Sequence, residues 1–213
     1  MKRIIYVHPI ISILKRIIDL VGAWMGLIIF LPLFPIIALM IKISSPGPVF
    51  YCQQRVGRIW PDDVQHFEMI KFRSMRTDAE AKTGPVWAQK NDPRLTKIGI
   101  FLRKTRLDEL PQFINVIQGD MSLIGPRPER PMISDKLEID IPFYTERTYG
   151  VMPGITGLAQ VNQGYDENLD DVKAKLAFDF AYSLALTKPM HWLAMDTKIV
   201  FKTFIVMVLG RGQ

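Results

Sequence analysis

One uninterrupted apolar stretch, Leu20 to Ile41 (LVGAWMGLIIFLPLFPIIALMI), dominates the hydropathy pattern and carries no charge. It is long enough for a bilayer-spanning helix. It is too long for the core of a signal peptide, and no small-residue cleavage site follows it. Lys15 and Arg16 precede it, and Lys42, Arg55 and Arg58 follow. Positive charge on both flanks pulls both ends toward the cytoplasmic side. Pro32 and Pro35 stand in mid-run, where proline removes a helical hydrogen bond and clashes with the preceding turn. Two readings stay open: a proline-kinked transmembrane helix, and a re-entrant hairpin that dips into one leaflet and returns. In the second, the freed backbone groups need internal or interfacial partners.

Beyond residue 43 the pattern becomes that of a mainly α domain with a few short strands. Residues 44–61 are turn-rich around a strand-like piece, Val49 to Gln53, and Phe67 to Phe72 reads as a second short strand. Residues 76–93 are polar, with Gly84-Pro85 and Asp92-Pro93, and read as a loop. Helices are expected over Thr96–Lys104, Asp108–Ile117 and Asp170–Leu186, with partial helix over 129–149 broken at Ile141-Pro142. Met152 to Gly157 reads as a turn. Trp192 to Leu209 is an amphipathic helix: Lys198 and Lys202 share one face, and Trp192, Ile199 and Phe201 are among its apolar residues. It suits a membrane surface, and core packing at least as well.

Composition narrows the partners. The net charge of +6 over 213 residues suits an anionic partner such as nucleic acid, acidic lipid or a phosphorylated metabolite. The single cysteine, Cys52, excludes an intramolecular disulfide framework and a cysteine-based zinc site. No GxGxxG or Walker-type glycine loop and no nucleic-acid recognition motif is present.

Candidate chemistry concentrates between Arg103 and Pro128 (RKTRLDELPQFINVIQGDMSLIGPRP), where Asp108 and Glu109 stand among Arg103, Lys104, Arg106 and Arg127. Asp108 could simply cap a helix, with Glu109 and Pro111 in its first turn. The same geometry attracts phosphate. A carboxylate placed there can act as a nucleophile, or hold Mg²⁺ together with phosphate oxygens. Pro126-Arg127-Pro128 presents a guanidinium on a stiff backbone suited to bidentate phosphate contact. Lys71 and Arg73, just after the second strand, are candidates to line the same site.

Taken together, these segments resemble the bacterial sugar transferases that act on polyprenyl phosphate, the monotopic phosphoglycosyl transferases. The matching pieces are KRIIDL at 15–20, KFRSM at 71–75, RLDELPQFINVIQGDMSLIGPRPERP at 106–131, PGITGLAQVN at 153–162 and GRG at 210–212. They follow the family order over nearly the whole chain. The resemblance implies a re-entrant membrane helix in residues 1–43 and a compact cytosolic catalytic domain in 44–213. That domain would lie on amphipathic helices at the cytoplasmic face of the bacterial inner membrane. It implies transfer of a phosphosugar from a UDP-sugar to polyprenyl phosphate, releasing UMP, with Asp108 as nucleophile through a phosphosugar-aspartate. Glu109 would assist by placing Mg²⁺ or handling protons. Lys71, Arg73, Arg103, Pro126, Arg127 and Pro128 would contact substrate, as would Asp179 and Tyr182, which fit an aspartate and a tyrosine that follow PGITGLAQVN in the family.

Two departures stand out. Leu31-Pro32 replaces the Ser-Pro common at the family's helix break, and LTKPMHW at 186–192 replaces an Asn-Trp-Ser run. The second bears on sugar choice. The chain is expected to be a catalytic unit without the membrane domain of larger members, and a homodimer stays open. The alternative is a non-catalytic scaffold that binds anionic lipid. Nucleic acid is not an expected partner.

Overall fold

A computed structural model of the chain describes residues 7–60, 62–81, 84, 92–164 and 168–208; the GRG match at 210–212 lies outside them. The apolar run belongs to two helices, α1 (Pro9–Phe30) and α2 (Leu33–Ser44), bent by 63° at Leu31-Pro32. Pro32 lacks the N–H that would bond the carbonyl four residues back, so the ladder stops there. Pro35 is not at the break. It sits in the first turn of α2, where an N–H has no intrahelical partner. Among the described residues no single helix is long and apolar enough to cross a membrane.

Charged residues do not end α1; they lie inside it, because each finds a partner on the rest of the chain. A buried stripe of Ile11, Lys15, Asp19, Ala23 and Gly26 repeats at helical spacing. Lys15 Nζ pairs with Asp196 at 3.4 Å. Asp19 accepts from Ser122 Oγ at 3.0 Å and Leu123 N at 2.9 Å. Arg16 donates to the Val116 and Ile117 carbonyls at 2.6 and 2.9 Å. These carbonyls belong to the last turn of α4 (Gln112–Gln118), where a cation also complements the helix dipole. Gly22 and Gly26 allow the close approach: a Cβ would stand 2.5 Å from Leu123 Cδ1 at the first and 2.7 Å from Phe113 Cζ at the second. The opposite face of α1 is exposed and apolar, with Ile13, Ile17, Val21, Trp24 and Ile28 along it.

The two strand-like pieces are parts of one long antiparallel hairpin, β1 (Phe50–Trp60) and β2 (Asp63–Phe72). Gly57, in the stretch 44–61 read as turn-rich from sequence, lies at a register shift between Val56 and Ile59, and the strand runs on to Trp60. A second correction concerns MPGITG. Gly154–Thr156 forms β4, parallel to β3 (Ser122–Ile124), and the adjoining Gly125 and Gly154 let the two backbones touch.

The remaining helices are α3 (Lys97–Lys104), α5 (Pro131–Asp140), α6 (Leu158–Asn162), α7 (Leu169–Ala185) and α8 (Pro189–Val208). The mainly helical class with few strands is as expected. Thr96 caps α3, and Asn168 with Asp171 forms a capping box on α7. In α8, Trp192 and Ile199 are buried in the core with Ile11 and Tyr182, while Leu193, Val200, Phe201 and Phe204 are exposed.

Candidate active site

The acidic pair is not a helix cap. Leu107–Glu109 forms a 3₁₀ turn, and α4 starts only at Gln112 behind Pro111. Arg106, which precedes the turn, has φ 56°, a left-handed conformation uncommon for a residue with a Cβ. Such backbone costs about 1–3 kcal/mol and recurs at functional sites. Asp108 and Glu109 are 6% and 7% exposed. Both line a cleft of about 460 Å³ that runs from the dyad toward α6 and α7.

Three cations hold Glu109. Arg127 lies 2.9 Å and Lys71 3.4 Å from Oε1, and Arg106 lies 3.6 Å from Oε2. Asp108 has no ion-pair partner within 4.0 Å among the described residues. The two carboxyls are therefore driven apart. Burial and the Glu109 charge push Asp108 above its ordinary value, against the pull of Lys71, Arg103 and Arg127. Burial alone would also raise Glu109, but Arg127, Lys71 and Arg106 outweigh it and hold that carboxylate well below the usual range. Burial lowers Lys71 to about 8 in spite of Glu109.

The hairpin supplies one wall. Tyr51, Gln53 and Arg55 alternate along β1 and so share the face turned to the cleft, with Lys71 opposite Tyr51. The Pro-Arg-Pro segment adjoins this wall. Its carbonyls are engaged in succession: Pro126 O accepts from Gly154 N (2.9 Å), Arg127 O from Arg147 (3.0 Å) and Pro128 O from Arg55 (3.0 Å). Glu129 O continues the series by accepting from Val56 N at 2.8 Å.

The structure thus gathers Lys71, Arg103, Asp108, Glu109, Arg127 and Asp179 around one cleft. Arg103 is steadied by a 3.1 Å bond from Nε to Ser74 Oγ. Arg73 also borders the cleft, but its terminal nitrogens are bound to the Pro46 and Ser45 carbonyls at 2.5 and 2.8 Å, fastening the link from α2 to β1. Asp179 pairs with the buried Arg147 at 2.8 Å. Tyr182 does not line the cleft: it is 1% exposed and donates to the Ile124 carbonyl at 3.1 Å. Pro126 and Pro128 shape the segment without lining the cleft themselves. Sequence reasoning missed Arg55 and Arg147 as parts of the site. Alternation along β1 would have flagged Arg55, had the hairpin been recognised at full length.

A model of the bacterial sugar transferase family matches residues 10–210, and the chain belongs to that family. It is 44% identical over 204 residues to the UDP-N-acetylgalactosamine-undecaprenyl-phosphate N-acetylgalactosaminephosphotransferase of Aeromonas hydrophila, covering 96% of this chain and 46% of that protein. It is 42% identical over 193 residues to the UDP-glucose:undecaprenyl-phosphate glucose-1-phosphate transferase of Escherichia coli, covering 90% of this chain and 39% of that protein. The exopolysaccharide production protein PSS of Rhizobium leguminosarum bv. phaseoli is 37% identical over 94% of this chain and 98% of its own length. The chain therefore spans less than half of the first two relatives and nearly all of the third.

Proposed function

We propose that this chain transfers a phosphosugar from a UDP-sugar to polyprenyl phosphate in two steps through Asp108, starting a cell-surface glycan. In the first step an Asp108 oxygen bonds to the β-phosphorus, and the bond from that phosphorus to the bridging oxygen breaks. UMP leaves with the bridging oxygen. In the second step a polyprenyl phosphate oxygen attacks the same phosphorus and the aspartyl bond breaks, which restores the carboxylate. One nucleophile thereby serves a soluble donor and a lipid acceptor in turn.

The observation that carries this reading is the asymmetry of the dyad. Glu109 is held by Lys71, Arg106 and Arg127, whereas Asp108 is buried beside it with its carboxylate uncommitted. A carboxylate with a raised pKa is the more basic, and hence the more nucleophilic, of the two. Attack by one anion on another needs the phosphate charge offset, and Arg127, Lys71 and Arg103 stand in the same cleft to do so.

No cluster of three or more His, Cys, Asp or Glu residues able to hold a metal occurs among the described residues. A magnesium ion bound by one or two carboxylates and completed by phosphate oxygens and water does not require one. Asp108, with no ion-pair partner among the described residues, fits that mode; Glu109 would join it by giving up one of its three cations, and Mg²⁺ there would supply charge neutralisation of the diphosphate.

The bent α1–α2 pair, with its apolar outer face and that of α8, supports a re-entrant hairpin holding the cleft at headgroup level. UDP-sugars are cytosolic, which puts the cleft on the cytoplasmic face of the inner membrane. The test is UMP release from a panel of UDP-sugars with Mg²⁺ and undecaprenyl phosphate, together with mass spectrometry of the enzyme before acceptor is added. A phosphosugar adduct on the peptide containing Asp108, absent from Asp108→Asn, is expected. Unchanged UMP release by that variant would refute the mechanism.

A further inference from the structure

We propose that Arg147 and Arg55 are positioning residues for Arg127, clamping the Pro-Arg-Pro backbone through its carbonyls; the functional part of this inference rests on the reaction proposed above. Pro126 and Pro128 have no N–H, so this stretch has few donors with which to join a sheet or turn. Its carbonyls are what the rest of the chain can grip. Four in a row, from Pro126 to Glu129, accept hydrogen bonds, and two of the four donors are guanidinium groups.

The guanidinium donors are themselves fixed. Arg147 is 6% exposed, gives one terminal nitrogen to Asp179 at 2.8 Å and the other to Arg127 O at 3.0 Å, and lies 4.6 Å from the Tyr144 ring centroid. Arg55 gives one terminal nitrogen to Pro128 O and the other to Gln53 Oε1 at 2.5 Å. A planar fork holds two acceptors from two separate nitrogens in fixed directions, whereas a lysine's three donors share one rotatable nitrogen and do not fix that geometry. The Arg127 side chain, by contrast, is 39% exposed and reaches Glu109 across the cleft. Glu109 holds the tip of that side chain, and the clamped backbone fixes its base. Asp179 serves this arrangement by neutralising and aiming Arg147 rather than by touching substrate.

The experiment is a double-mutant cycle on UMP release with Arg147→Lys, Arg127→Lys and the pair, alongside hydrogen exchange of residues 124–130. Loss of the clamp misplaces Arg127, so Arg147→Lys should lower kcat about 10- to 100-fold with KM little changed. The pair should fall no further than Arg127→Lys alone, because Arg147 acts through Arg127. Exchange over 124–130 should quicken more than exchange elsewhere in the chain. Arg55→Lys, which leaves the buried Arg147–Asp179 pair intact, serves the same tests if Arg147→Lys does not fold. Additive losses in the pair, or unchanged exchange at 124–130, would overturn the clamp. Quickened exchange at 124–130 in Arg147→Lys, with a wild-type protein that releases no UMP from any donor, would uphold the backbone clamp and sink the proposed reaction instead.

Discussion

Asp108 and Glu109 are neighbours in sequence with opposite electrostatic fates, and the difference comes from where three cations stand. The cluster of basic residues was legible in the sequence; its partition was not, because Lys71, Arg106 and Arg127 converge on Glu109 only through the fold. Lys71 gives a test of its own. At about 8 it is largely protonated at pH 7 and loses its charge as pH rises through that value. An uncharged amine no longer offsets Glu109 or an incoming phosphate, so kcat/KM for the donor should fall on the alkaline side with a midpoint near 8. Lys71→Arg, whose guanidinium stays charged, should keep that limb flat to higher pH even if its absolute rate is lower. An alkaline limb unmoved by this substitution would show that another group titrates there. Arg73 and Tyr182 mark the limit of motif reading. Both belong to segments that match the family, yet one fastens a loop and the other a strand carbonyl, and direction of reach is not written in residue order.

Element boundaries were readable where a cap or a proline sets them, as at Thr96 and Pro32. They were misread where tertiary pairing overrides local signals, as in the Arg55–Trp60 arm of β1 and in β4. The charges of α1 show the same principle. By sequence Lys15 and Arg16 are topology signals ahead of an apolar run; in the fold, with Asp19, they fasten a helix to a protein surface. Asp19 receives the Leu123 N–H and the Ser122 hydroxyl at the start of β3, the strand that leads into the Pro-Arg-Pro segment. Asp19→Ala should leave the Leu123 N–H without its partner and cost about 1–3 kcal/mol. The loss is measurable as a lower denaturation midpoint in detergent. Asp19→Asn keeps one acceptor oxygen and should lose less. Equal losses would show that the charge, rather than the hydrogen bonds, holds the helix.

At the scale of the whole molecule the two readings of the apolar run make opposite demands on the arms of the hairpin. A spanning helix sends its two ends to opposite sides of the bilayer. Here the first arm docks along its length on α4, β3 and α8, from Ile11 through Lys15 and Asp19 to Gly26. The second arm docks through Ile37 and Ile41 onto Phe72, Leu102 and Leu110. Both arms thus belong to the body that carries the cleft, and the bend at Leu31-Pro32 joins them. To span, α1 would have to strip the Lys15–Asp196 pair and both Asp19 bonds and place those charges in or beyond the hydrocarbon, at roughly 2.5–3.5 kcal/mol for each near the bilayer centre. The re-entrant arrangement keeps every one of these contacts. Cysteines introduced singly at Val7 and Lys104, in a Cys52→Ser background, should therefore behave alike. Neither should react with an impermeant maleimide applied to the periplasmic side of spheroplasts, and both should react in inverted membrane vesicles. Labelling of the Val7 position from the periplasmic side, with Lys104 protected, would place the arms on opposite faces and undo the hairpin.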